Sequence, residues 1–245
     1  MNSVIELLNS HRSIRKFTAQ QISQETINTL VQAGQAAATS SFIQACTVIQ
    51  VNSKENRCKL AEYAGGQAYV EQAAVFLVLC ADMKRHQLAC DLNGTEMQSG
   101  FTEQFITATA DVALFAQNLT IAAESLGLGA VYIGGIRNNI AGVSDLLDLP
   151  ELVYPVFGLC LGYPDQSPQV KPRLPVDVVL KQDRYDDSED RSTIAAYDKH
   201  VSEYYRTRTG GNKDMTWSEQ MSGMLVKEAR PHMLPFLKDR GFLLK

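Results

Sequence analysis

From Thr102 to Leu126 the chain runs without a proline through helix-tolerant residues and then meets Gly127-Leu128-Gly129. Glycine just past the last turn is a C-terminal stop, so the segment predicts one long helix. Ile106, Ala110, Ala113, Leu114, Leu119, Ile121 and Ala122 leave it almost no polar face. A helix apolar nearly all round has to lie at the centre of a domain or in a subunit interface, and the other elements must cover it. The charge distribution agrees. Residues 99–162 carry seven charged side chains, of which only Arg137 is basic, whereas residues 181–245 carry twelve basic and eleven acidic ones. The middle of the chain therefore reads as core and the last quarter as surface-lying or partner-facing helix.

Around that helix the pattern alternates. Ile22 before Ser23, with Ile27 four positions later, predicts a capped and stapled helix start, followed by Ile27, Leu30, Val31 and Gly34 on one face. Thr47–Val51 alternates with β-branched residues and reads as a strand, and the continuous run Val75–Cys80 as a strand buried on both faces. Ala130–Ile133 predicts a short strand ending at Gly134-Gly135, Asn139–Leu147 a helix closed by Pro150, and Pro155–Leu161 another buried strand. Such alternation about one apolar centre gives an α+β or an α/β sandwich.

Several classes of protein are disfavoured. A chain of 245 residues, 45% hydrophobic with a net charge of −4, can bury an adequate core without disulfides or a structural metal. The longest uninterrupted apolar runs, Ala73–Ala81 and Val156–Leu161, fall short of the ~18–20 residues that span a bilayer. The N-terminal MNSVIELLNSHR lacks the basic-then-apolar pattern of a signal peptide. A pI near 5.6 argues against a nucleic-acid surface. Cys46, Cys58, Cys80, Cys90 and Cys160 include no CxxC pair and read as reduced thiols, with no metal site. A soluble cytoplasmic protein, with neither membrane nor nucleic acid as partner, is the expectation.

Three segments could carry chemistry. His11-Arg12-Ser13-Ile14-Arg15-Lys16-Phe17 concentrates cations and a hydroxyl, the groups that make the strongest hydrogen bonds to phosphate or a carbonyl edge. If extended, it puts His11, Ser13 and Arg15 on one side; a solvated basic loop is the plainer alternative. In Lys171-Pro172-Arg173-Leu174-Pro175 the prolines stiffen the backbone and point Lys171 and Arg173 the same way, although a braced surface crossover explains it equally. Tyr132-Ile133-Gly134-Gly135 leads a strand into paired glycines, which admit a flat ligand or simply make a tight turn. No P-loop, GxSxG, HExxH or metal-spaced carboxylate set is present in the sequence. No catalytic side chain stands out, so the reactive atoms of an enzyme built this way belong to a cofactor.

HRSIRKF at 11–17, TSSFIQ at 39–44, GGQAYVEQAA at 65–74, AAESLGLGAVYIGGIRNN at 122–139, FGLCLGYP at 157–164, KPRLP at 171–175, TWS at 216–218 and ARPHMLPFL at 229–237 together resemble the FMN-dependent nitroreductase superfamily. Within it the chain is similar to the NADPH-preferring group A oxygen-insensitive nitroreductases and the P-type flavin reductase. The resemblance implies an α+β fold with a central, mostly antiparallel sheet flanked by helices, in a domain-swapped type of homodimer. It implies an FMN-binding core over residues 1–180 and a helical extension over 181–245 that carries an NADPH flap and dimer contacts. The activity implied is ping-pong reduction of nitroaromatics, quinones or free flavin by NADPH through bound FMN. A dedicated flavin reductase serving a partner monooxygenase, or a non-catalytic FMN redox sensor, is the alternative.

Carried over position by position, the resemblance puts His11 and Ser13 with Lys171 and Arg173 on the FMN phosphate, Arg12 among the cofactor-binding residues, and Arg15 on the N1/O2 edge of the ring. Gln67 and Tyr69 fall on the ring's polar edge and rim, and Tyr132, Ile133, Gly134 and Gly135 along the flavin. Ser40 and Gln44 also fall on the cofactor, Ser41 and Phe42 on the substrate pocket, and Arg208 and Lys213 on the NADPH 2′-phosphate. Two positions depart from the pattern: Thr39 stands where serine is common, and Lys213 where the group A nitroreductases carry arginine and the flavin reductase type lysine.

Overall fold

In the computed structural model, which describes residues 2–208 and 210–245, four strands form one sheet in the order β1-β2-β4-β3. They are β1 (Cys46–Gln50), β2 (Val75–Asp82), β3 (Gly129–Ile133) and β4 (Val153–Gly162). All three pairings are antiparallel. Every residue of β2 is buried, as its unbroken apolar run requires, and the two-residue period divides its side chains between two cores. Leu77 and Leu79 face one, with Leu159 and Leu161 of β4; Phe76 and Val78 face the other, with Cys80 and Cys160.

Helices supply the opposite wall of each core. The preceding helices are α1 (Ser3–Asn9), α2 (Gln24–Gln35), α3 (Lys54–Tyr63), α4 (Tyr69–Gln72) and α5 (Lys84–Leu92); α6 (Thr102–Ser125) and α7 (Ile140–Leu146) follow. The long apolar helix is α6. Val112, Phe115, Ala116, Leu119 and Ala123 sink into the first core beside Ile27 and Leu30 of α2, while Leu60 and Ala61 of α3 and Val143 of α7 close the second. Among the described residues α6 is the one helix long and apolar enough to cross a membrane. Ile106 and Leu114 remain about half exposed on its other side.

Local chemistry sets the ends. Ser23 Oγ accepts from the Thr26 N–H at 3.1 Å, which starts α2 where the staple predicts. The helix expected from Asn139 is α7: a 3₁₀ turn over Gly134–Asn139 precedes it, and Asn139 caps it by accepting from the Gly142 N–H at 3.1 Å. Asparagine is a strong cap former and so ends one element to begin the next.

The chain separates into two compact units, residues 1–168 with 230–245, and residues 169–229. The second contains α8 (Val176–Val179), α9 (Asp190–Arg208) and α10 (Trp217–Leu225) around buried Tyr197, Val201, Tyr204 and Tyr205. Residues 230–245 fold into the first unit. Leu237 of α11 (Met233–Asp239) and Phe242 are buried in its core, and the Thr102 N–H donates to the Lys245 carbonyl at 3.0 Å.

Candidate functional site

The basic stretch after α1 runs along the free edge of β3. Ser13 bridges Ala130 in parallel, and the Ile14 N–H donates to the Ala130 carbonyl at 2.9 Å. Ile14 is buried against Gly129, where a Cβ would come within 2.6 Å of it, so only glycine lets the two backbones approach. His11 Nδ1 lies 2.6 Å from Glu124 Oε1 on the last turn of α6. Arg12 turns away and donates to Ser167 Oγ at 3.2 Å and the Pro168 carbonyl at 3.3 Å, bracing that loop. Arg15 is exposed and makes no hydrogen bond or ion pair with the described residues.

Tyr132 and Gly134-Gly135 continue from the same strand. The Tyr132 hydroxyl is 3.0 Å from Thr120 Oγ1, one turn before Glu124, and its ring meets Phe157 edge-on at 5.0 Å. Burial pushes the phenol above its ordinary pKa. Ile133 is buried on the opposite face. Gly135 is pressed against the α3–α4 connection: a Cβ there would stand 2.5 Å from the Ala64 carbonyl oxygen and from Gln67 Nε2. Gln67 donates to that carbonyl at 2.7 Å and accepts from the Tyr69 hydroxyl at 2.7 Å. Thus 11–15 joins β3 at Ala130 and 67–69 packs on Gly135 just past its end, two segments far apart in sequence brought to one strand and its turn.

Ser40–Gln44 lies elsewhere. It precedes β1, on the opposite edge of the sheet from β3, three strand spacings or about 14 Å away. Its backbone is unusual, with φ of 48° at Ser41, 60° at Phe42 and 54° at Gln44. Left-handed geometry costs a non-glycine residue roughly 1–3 kcal/mol and persists only where the surroundings over-determine it. Here the surroundings are polar. Asp111, a buried acid within apolar α6, accepts from the Ser40 N–H at 3.0 Å and the Ala45 N–H at 3.1 Å. His86 Nε2 lies 2.5 Å from the Ile43 carbonyl, and Arg85 donates to the Gln44 carbonyl at 3.3 Å. Phe42 is 83% exposed at the tip. A cavity of about 570 Å³ lies beneath the segment.

In the second unit the cations gather on tyrosines. Lys171 Nζ and Lys213 Nζ sit 5.7 and 4.3 Å from the centroid of the Tyr205 ring, which brings the predicted phosphate lysine and the predicted NADPH lysine to one aromatic ring. Arg208 lies over Tyr204 at 5.8 Å and donates to its hydroxyl at 3.3 Å. Arg173 donates to the Lys171 carbonyl at 3.2 Å, and the Tyr197 hydroxyl donates to the Pro172 carbonyl at 3.0 Å, so the proline-braced strap is fixed to α9.

Sequence reasoning passed over the residues that hold these segments. Asp111 carried a usable signal, a lone carboxylate facing the core from an apolar helix. Arg85, His86, Thr120 and Glu124 carried none, because each acts on a partner distant in the chain.

Comparison with known proteins places this arrangement. Residues 8–163 match the nitroreductase family, and residues 171–245 match the C-terminal domain of the nitroreductase family. The chain is 47% identical over 241 residues to an NADPH-flavin oxidoreductase of Vibrio harveyi, covering 98% of each. It is 43% identical over 242 residues to an oxygen-insensitive NADPH nitroreductase of Salmonella typhimurium, covering 99% of each. Among solved structures, B. megaterium NfrA1 superposes with a TM-score of 0.96 at 46% identity, over 99% of this chain and 100% of that one.

Proposed function

From the premise that this chain belongs to the nitroreductase family and is an enzyme of its FMN-dependent, NADPH-oxidising group, we propose that it reduces planar acceptors: nitroaromatics, quinones or free flavins. The observation that carries this reading is that β3 and the turn after it receive both 11–15, at Ala130, and 67–69, at Gly135. Their donor set suits FMN. Ser13 offers a hydroxyl and His11 the ring nitrogen that Glu124 leaves open, Gln67 and Tyr69 an amide and a phenol, and Arg15 a cation not engaged by the described residues. Lys171 and Arg173 add two cations for the phosphate.

FMN, when bound by these residues, would supply the hydride chemistry that links NADPH to the acceptor. The protein's part is placement and electrostatics. Arg15, exposed beside β3, would supply a fixed cation favouring negative charge on a reduced ring. Glu124 fixes one nitrogen of His11 and thereby orients the ring. Gly135, lacking a side chain, lets the α3–α4 connection that carries Gln67 pack directly against the turn after β3. No side-chain acid or base is assigned to hydride transfer. Arg208 and Lys213 provide the cations for a 2′-phosphate, within the proposed division of roles between a flavin core over 1–180 and a nucleotide flap over 181–245.

A homodimer completes the proposal. Asp111 and Glu124 are thirteen residues apart on α6, about 20 Å along its axis, so one copy holds Ser40–Gln44 well away from His11. A second copy packed on the exposed Ile106 and Leu114 face of α6 is the simplest way to bring the two segments to one cofactor. The test is spectroscopic. Purified protein should be yellow with one FMN per chain, bleach anaerobically with NADPH and recover its colour on adding a quinone. Bound flavin that NADPH leaves oxidised would make the protein a sensor instead.

A further inference from the structure

We infer that Asp111 is a positioning residue: it sets the conformation of Thr39–Gln44, and through it the affinity of the pocket for the acceptor, without touching the acceptor. The inference rests on the reading above, in which Ser41 and Phe42 line the substrate pocket. Its structural basis stands apart from that reading. Asp111 is 2% exposed, and its two oxygens are divided between the ends of the segment, Oδ1 on the Ser40 N–H and Oδ2 on the Ala45 N–H. Between those ends, Ser41, Phe42 and Gln44 adopt left-handed backbone that none of them favours intrinsically.

Packing supplies the constraint only at Ile43 and Ala45, which lie against the first core, and not at Ser41 and Phe42. The cavity beneath the segment, lined by Thr39, Ile43, Gln44, His86, Asp111 and Phe115 among others, gives a released loop room to collapse inward. Phe42, at the tip, is anchored by nothing apolar that would resist such a movement, being largely exposed. Beyond that anchor the polar ties set the shape: Asp111 from α6, and His86 and Arg85 from α5 on the Ile43 and Gln44 carbonyls. A carboxylate is required because both partners are donors. Asparagine, nearly identical in shape, offers one acceptor and sets an NH2 group against the other N–H.

Asp111→Asn in the FMN-loaded enzyme tests this, with hydrogen–deuterium exchange of the peptide spanning residues 39–45 and steady-state kinetics with 1,4-benzoquinone. Exchange in that peptide is expected to rise about tenfold and the quinone KM about tenfold, with kcat within about threefold of wild type. Unchanged exchange would overturn the positioning role. Faster exchange with an unchanged KM would overturn its link to the acceptor. A lowered melting temperature with neither change would leave Asp111 a purely structural residue, which also overturns the inference. Should Asp111→Asn fail to fold, His86→Leu, which removes the tie to the Ile43 carbonyl, is expected to give the same pair of effects at about threefold, and no change in either refutes the proposal. Exchange does not require turnover, so a wild-type protein inactive with quinone would count against the functional reading while the positioning role was still measured.

Discussion

Replacing Gly135 with alanine should damage the flavin site more than replacing its neighbour. The new methyl would stand 2.5 Å from the Ala64 carbonyl oxygen and 2.5 Å from Gln67 Nε2. The carbonyl belongs to the backbone and cannot swing aside. Gln67 can, but only by giving up its 2.7 Å bond to Ala64 and its 2.7 Å bond from Tyr69. Overpacking of this kind costs about 1–3 kcal/mol, and two neutral hydrogen bonds add about 1 kcal/mol each. If about 2 kcal/mol of that displacement falls on the flavin contacts, FMN binding weakens about thirtyfold. Flavin fluorescence titration of the apoprotein, beside urea unfolding, measures both parts. Gly134→Ala is the control, since its methyl would meet only the Arg137 guanidinium tip at 3.2 Å and should cost under about 1 kcal/mol. Wild-type FMN affinity in Gly135→Ala, or equal losses in the two variants, would refute the argument from close approach.

Other outcomes follow from the remaining geometry. Arg208→Ala is expected to raise the NADPH KM roughly 10–150-fold with kcat little changed, the loss of one charge-assisted contact worth ~1.5–3 kcal/mol; an unaltered KM counts against the assignment. Lys171→Ala combined with Arg173→Ala should purify without colour, and retention of stoichiometric FMN would remove both from the phosphate. In alkali, burial pushes the Cys46 and Cys160 thiols up to about 12 from 9.0. The unfolded chain then loses protons that the folded chain keeps. Their contribution is complete below about pH 9 and disappears as pH rises towards 12, so urea midpoints should fall across that window and Cys160→Ala should flatten the fall.

The elements legible in the sequence were those whose signal is local. β2 reads as a strand because eight consecutive residues are buried, and α6 because its apolar face has no gap. By contrast, α3 buries only Leu60 and Ala61, and α5 buries nothing fully, so neither stands out from a polar background. The glycines at 134 and 135 suggested a turn or a ligand approach; they open a 3₁₀ turn, and at 135 the close neighbour is the Ala64 carbonyl. In 11–17, Ile14 is buried between Ser13 and Arg15, but nothing in that stretch announces Ala130 as its pairing partner. Grouping candidate residues by motif is thus possible from sequence, whereas finding what clamps them needs contacts between residues dozens of positions apart.

The return of residues 230–245 into the first unit bears on how the protein is made. Phe242 meets Tyr154 edge-on with ring centroids 5.1 Å apart, and Leu237 shares the core with Leu152. That hollow can fill only after residues beyond 237 have left the ribosome, and at ~5–20 residues per second the stretch after Pro168 takes several seconds to emerge. For that interval a nascent chain holding β4 and α6 carries an open greasy seam, one that chaperones, or a neighbouring polysome's product, can reach before its own tail does.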